Sequence, residues 1–276
     1  MSDKSDRDPL PSPLFFREAG SGPGVVCIHC NGSSSSQWRP LMDRLSPTHR
    51  VLAPDTHGAG RGPAWPTDRP LTLYDEVALL APVFARAGSP FALVGHSYGA
   101  AVAMCAALQW PERVHALVLY EPTLFALVDA ETPPPNAADG IRETVSRATA
   151  ALKGGHRGEA AKIFIDYWMG DGAWATKPDA QRSAIEAAVT HVQGWGQALF
   201  GELTPLAAFQ SLQMPVLLMQ GSDTTESAKA VSRLLVHTLP CVEMLGFEGL
   251  GHMGPLTHPA QVAAAIEAFL LRHPPH

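Results

Sequence analysis

Residues 91–111 read FALVGHSYGAAVAMCAALQWP, a stretch without a single Asp, Glu, Lys or Arg. It is long enough to cross a bilayer. A membrane helix would not gather Gly95, His96, Ser97, Tyr98 and Gly99 into one short run, however, and no interfacial aromatic or basic belt follows. The stretch divides better into three pieces. FALV reads as a buried strand, GHSYG as a sharp turn, and AAVAMCAAL as a helix apolar on every side because its neighbours cover it all round. In the turn, a Cβ at either flanking glycine would strike the neighbouring strand or helix, which is why Gly95 and Gly99 bracket Ser97.

Working outward, short apolar runs recur: VVCIH (25–29), VLAP (51–54), ALVLY (116–120), PVLLMQG (215–221) and CVEML (241–245). Runs that lack alternation are typical of strands covered on both faces of a parallel sheet. Between them lie stretches with apolar residues at three- and four-residue steps, at 36–45, 73–87, 228–239 and 259–272. Alternating strand and helix predict an α/β fold with a doubly wound, mostly parallel sheet. Residues 125–207 break the rhythm. After the proline-rich TPPPN they offer helical patterns only, and Tyr167, Trp168, Trp174, Trp195 and Phe200 concentrate there. This segment is expected to be an inserted helical cap on a core of residues 14–124 and 208–276, its aromatic residues packing it down or lining an apolar pocket. Residues 1–13 are expected to be a flexible tail.

The chain has 276 residues, 46% hydrophobic and 17% charged, which suits a folded α/β domain rather than a disordered one. Its formal net charge of −6, with no Lys/Arg run, argues against nucleic acid or an anionic membrane as partner. The N-terminal MSDKSDRDPLPSP has no apolar core of secretory type, so a cytoplasmic location is expected. Cys27 and Cys30 form C-x-x-C, but the first lies in a strand-like run and Cys105 and Cys241 stand apart. Free thiols are therefore expected, with no metal site.

Placed between strand and helix, GHSYG has the form of a nucleophile elbow. With it, VVCIHCNGSSSSQWRPLMDRL, VLAPDTHGAGRG and GFEGLGHMGPLTHP follow in the order seen in the α/β-hydrolase superfamily, which this sequence resembles from about Leu14 to Leu271. The resemblance implies Ser97 as nucleophile and His252 as base. It also implies an oxyanion hole made by the backbone N–H groups of Asn31 and Tyr98, with no metal or cofactor. His29 and His96 flank the site as packing or tuning residues, and His258 stands at a helix start.

The triad acid has two candidates. Relatives usually carry it as G-x-x-D after the penultimate strand, but QGSDTTES puts Thr224 at that position and Asp223 one residue early. Glu121, at the end of the strand that follows the nucleophile helix, is favoured, because a carboxylate between an apolar strand and a proline has little structural reason to be there. Asp223 is the alternative. Cys30, Trp168 and Trp195 are candidate pocket residues. The expected activity is hydrolysis of a carboxylic ester in a small, fairly apolar molecule. The same fold also admits cofactor-free C–C bond hydrolysis, lyase or perhydrolase chemistry, or ligand binding without turnover; oligomeric state is not legible.

Overall fold

The apolar runs supply six strands of a seven-stranded sheet, five of them inner and the one from CVEML a half-exposed edge. In the computed structural model, which describes residues 14–275, the seven strands are β1 (Phe16–Ala19), β2 (Gly24–Ile28), β3 (Arg50–Pro54), β4 (Phe91–His96), β5 (Val114–Tyr120), β6 (Val216–Gly221) and β7 (Val242–Phe247). Their order across the sheet is β1-β3-β2-β4-β5-β6-β7, and every neighbouring pair is parallel except β1 with β3. Every residue of β2 and β4 is buried. The short antiparallel β1 at the edge has no apolar run to announce it; its residues FREA leave Glu18 to pair with Arg50 and Arg86.

Helices cover both faces. α1 (Arg39–Leu45) and α11 (Pro259–Arg272) pack on one face, and α2 (Leu73–Ala87), α3 (Tyr98–Gln109) and α9 (Glu226–Thr238) on the other. α2 begins with a reciprocal cap, in which the Asp75 amide donates to Thr72 Oγ1 and the Thr72 amide to the Asp75 carboxylate. α3 is buried from Tyr98 through Ala107, as its alanine-rich, all-apolar composition predicts.

Between β5 and β6 run α4 (Ala126–Glu131), α5 (Asp139–Lys153), α6 (Arg157–Met169), α7 (Asp179–Ala188) and α8 (Val192–Phe200). The pattern at 181–200 reads as one helix in the sequence; a 3-10 turn at Val189–His191 divides it into α7 and α8. This helical insertion has a small core of its own, built on Ala148, Ala160, Ala161, Val189, Val192 and Trp195. It is also tied to α9, where Tyr167 Oη and Ser227 Oγ lie 2.7 Å apart. A short helix α10 (Gly254–Thr257) precedes α11. The expected tail at 1–13 lies outside the described residues. Among the described residues no helix is long and apolar enough to cross a membrane.

Candidate active site

The backbone reverses sharply between β4 and α3. Ser97 sits at φ +56° and ψ −118°, a left-handed conformation that L side chains rarely adopt. Its surroundings leave no alternative. A Cβ on Gly95 would lie 2.5 Å from Ala100 Cα, and one on Gly99 would lie 2.3 Å from the Ile28 carbonyl oxygen. The Ser97 amide donates to the Tyr120 carbonyl at 2.9 Å, which pins the strained residue to β5.

Ser97 Oγ lies 2.8 Å from His252 Nε2, and His252 Nδ1 lies 2.6 Å from Glu121 Oε2. A carboxylate can only accept, so Nδ1 carries the ring proton and Nε2 is free to receive one from the serine. The carboxylate that meets this ring stands at the tip of β5. Glu121 is fully buried and itself left-handed, at φ +45°. Its carboxylate also accepts from the Gly221 amide at 2.8 Å and from Thr224 Oγ1 at 2.5 Å. Asp223, the alternative, stands apart from this pair: its side chain is exposed and accepts from Ser222 Oγ at 2.8 Å. Thr224, which occupies the position where relatives carry the acid, instead donates to Glu121. Its hydroxyl is one part of the site that sequence reasoning missed, and the offset in QGSDTTES was the signal.

A chain of hydrogen bonds holds the base from behind. His96 Nε2 lies 2.8 Å from the His252 carbonyl oxygen, so Nε2 carries the proton; His96 Nδ1 accepts from Gln37 Nε2 at 3.1 Å; and Gln37 Oε1 accepts from the Cys30 amide at 3.2 Å. Burial, then the neighbouring His252, pushes His96 well below its ordinary histidine pKa. His29 is held similarly, with Nδ1 at 2.8 Å from the Cys30 carbonyl and Nε2 at 3.3 Å from the Thr56 amide, and burial lowers its pKa too. On its open side the His252 ring stacks on Trp168, with centroids 3.9 Å apart.

Because the Cys30 amide is already taken by Gln37, the next amide in the loop is that of Asn31. Tyr98 opens α3, where the first N–H groups have no intrahelical acceptor. The close fit of Gly99 under the Ile28 and His29 carbonyls brings that helix start against the end of β2 and its loop. The Tyr98 ring points away, buried with its hydroxyl 3.4 Å from Glu76.

These groups open into a cavity of about 140 Å³. Cys30, Asn31, Ser97, Trp168, Trp195 and His252 all line it, whereas Glu121 and Tyr98 lie behind its wall. The remaining wall is mostly apolar and comes largely from α5, α6 and α8, so the insertion's aromatic residues both pack and line. Of the two C-x-x-C thiols, Cys27 is in the core of β2 and Cys30 faces the cavity; burial pushes the Cys30 thiol up to about 12.

A serine on a strained strand-to-helix turn, an imidazole from the loop after the last strand and a carboxylate at a neighbouring strand tip define a hydrolase-type centre on a doubly wound sheet. The model of the alpha/beta hydrolase family matches residues 25–265, and the chain belongs to that family. It is 30% identical over 233 residues to 2-(acetamidomethylene)succinate hydrolase of Mesorhizobium japonicum, covering 79% of this chain and 76% of that protein. It is 29% identical over 266 residues to the lipase LipV of Mycobacterium tuberculosis, covering 92% and 96%. A solved alpha/beta hydrolase of Sphaerobacter thermophilus superposes with a TM-score of 0.70 at 26% identity, covering 94% of this chain and 98% of that one.

Proposed function

We propose that this protein is a serine hydrolase that cleaves a carboxylic ester of a small, fairly apolar molecule. The observation that carries the reading is the unbroken relay from Ser97 Oγ through His252 to Glu121, opening into a largely apolar cavity. His252 Nε2 takes the Ser97 proton as Oγ attacks the ester carbonyl. Glu121 fixes the tautomer and stabilises the imidazolium that forms. The Asn31 and Tyr98 amides receive the tetrahedral oxyanion, where one such donor is typically worth about 3 kcal/mol of transition-state stabilisation. The imidazolium then protonates the leaving alcohol. Water, deprotonated by the same ring, hydrolyses the acyl-enzyme and restores the serine. Trp168, Trp195 and Cys30 bound the space for the substrate's apolar part.

The relatives lend support of a general kind: one is a lipase and another a succinate-derivative hydrolase. The hydrogen bonds of Glu121 to His252, Thr224 and Gly221 favour turnover over ligand binding alone.

A fluorophosphonate probe should label Ser97 and no other residue, and 4-nitrophenyl acetate or butyrate should be hydrolysed with an initial burst of nitrophenol. Labelling that persists in Ser97→Ala, or wild-type protein that is labelled yet cleaves C–C substrates such as vinylogous diketones and no ester, would overturn the assignment.

A further inference from the structure

The cavity above Ser97 is lined by apolar and uncharged polar groups with one exception. Lys177 carries the only formal charge among the described residues that line it. It follows the 3-10 turn Ala173–Thr176 and precedes α7, and it is half-buried. Its backbone amide donates to the Trp174 carbonyl at 3.2 Å, but its ammonium has no carboxylate or hydrogen-bond partner among the described residues. Lys162, on the neighbouring α6, shows the contrast: its ammonium lies 2.9 Å from Asp166. A half-buried lysine beside an apolar wall, with no counter-charge among the described residues, leaves its ammonium available to one carried by a ligand.

The position of Lys177 says where that charge would sit. Gly32, Met169, Lys177, Gln181, Met253 and Leu256 line both the inner cavity and a wider outer groove, so they form the neck between the two. Gln181 stands four residues beyond Lys177 at the start of α7 and adds an amide donor to the same neck. The site is thus divided, with an apolar chamber within and one cation with one amide at its mouth. A single lysine without an arginine fork matches one negative charge better than the two of a phosphate monoester.

We propose that Lys177 binds a carboxylate carried by the substrate, so that the ester cleaved at Ser97 belongs to a molecule with a free carboxylate at the end held in the neck. This rests on the serine-hydrolase reading and narrows its substrate class. The apolar segment fills the chamber, and the charged end stays at the water-accessible neck, where the ion pair needs only partial desolvation.

Two matched substrate pairs test this. One places the carboxylate on the acyl side (4-nitrophenyl butyrate against 4-nitrophenyl hydrogen glutarate), the other on the alcohol side (ethyl butyrate against butyryloxyacetate). In at least one pair the ratio of kcat/KM, anionic over neutral ester, should fall roughly five- to tenfold in Lys177→Met, mainly through KM, and further in Lys177→Glu, while Lys177→Arg retains most of it. Raising NaCl to about 0.5 M should compress the wild-type ratio and leave that of Lys177→Met unmoved. Ratios equal within about twofold across wild type and variants in both pairs would overturn the proposal. Calorimetry keeps it separate from the hydrolase reading, since Ser97→Ala should bind monomethyl adipate and Ser97→Ala/Lys177→Met should not. Binding that the second substitution leaves unchanged overturns the proposal even if no ester is ever turned over.

Discussion

The tips of β4, β5 and β6 and the helical insertion face each other across one cavity, yet they are built to different standards. At the strand tips the side chains of Ser97, Glu121 and His252 are all but inaccessible, and each polar atom named above has a partner. Across the cavity, α7 has no buried residue, and Lys177 beside it has no partner for its charge among the described residues. A rigid, fully satisfied constellation suits bond-making chemistry, which tolerates little displacement. A wall that includes the unburied α7 suits selection among substrates. Changes at the strand tips should therefore cost turnover, and changes in the insertion should mainly redistribute preference.

The largest break is at the acid. Glu121→Gln keeps the shape but leaves Nδ1–H of His252 facing an amide, and kcat should fall by about a thousandfold, near 4 kcal/mol, with little change in KM. Asp223→Ala should stay within about twofold of wild type, because an exposed carboxylate paired with Ser222 touches nothing in the relay. The sharper form moves the acid between strands. Since Thr224 Oγ1 is already 2.5 Å from Glu121, the double change Glu121→Thr/Thr224→Asp offers a carboxylate from the tip of β6, and it should recover part of the activity that Glu121→Thr loses. No recovery, or loss in Asp223→Ala equal to that in Glu121→Gln, would contradict the placement of the acid.

The buried histidines give a second contrast, read in stability. His29 and His96 have folded-state pKa values below the ordinary 6.5, mainly because burial disfavours their charged forms. Buried His49 and half-buried His191 shift the same way, again mainly through desolvation. Above about pH 7 neither folded nor unfolded chain protonates them. As pH falls through 6.5 the unfolded chain takes up protons that the folded chain refuses, so stability present above that value is lost toward lower pH, at about 1.4 kcal/mol per pH unit for each fully buried histidine. Carboxylates with lowered pKa, such as Glu18 and Asp166, act only further down the scale, which leaves pH 6.5 to 5 to the histidines. Urea midpoints should drop across that window, and His96→Asn should flatten the slope by one histidine's share. A flat wild-type profile would be inconsistent with neutral, buried rings.

Most of the scaffold could be read from residue order alone, for a physical reason. Strands such as FALV and ALVLY are buried on both faces and must be apolar throughout, and the elbow demands glycine at 95 and 99 whatever surrounds it. The buried, hydrogen-bonded place of Glu121 agrees with the reading that a carboxylate between an apolar strand and a proline needs a partner. What escaped was set by contacts distant in sequence. The Thr224 hydroxyl becomes meaningful only when β5 and β6 lie side by side, and Gln37 acquires its role only through His96, 59 residues away. Edge strand β1 escaped because one exposed side lets it carry Arg and Glu. The insertion's helical character was visible, but the break between α7 and α8 was not, since no proline or glycine marks Val189–His191.

The two regions meet where Trp168 of α6 lies on the His252 ring, centroids 3.9 Å apart and planes 24° from parallel. The indole face is well placed to favour the imidazolium of the proposed acylation step, a contact worth about 0.5–2 kcal/mol depending on desolvation. Trp168→Phe keeps an aromatic face with a weaker quadrupole and leaves less of a void than alanine would. It should lower kcat by roughly two- to fivefold for short neutral esters, with KM and the unfolding midpoint moving much less. A larger loss confined to KM would assign Trp168 to substrate contact alone, and the insertion would then contribute selection without any share in the chemistry.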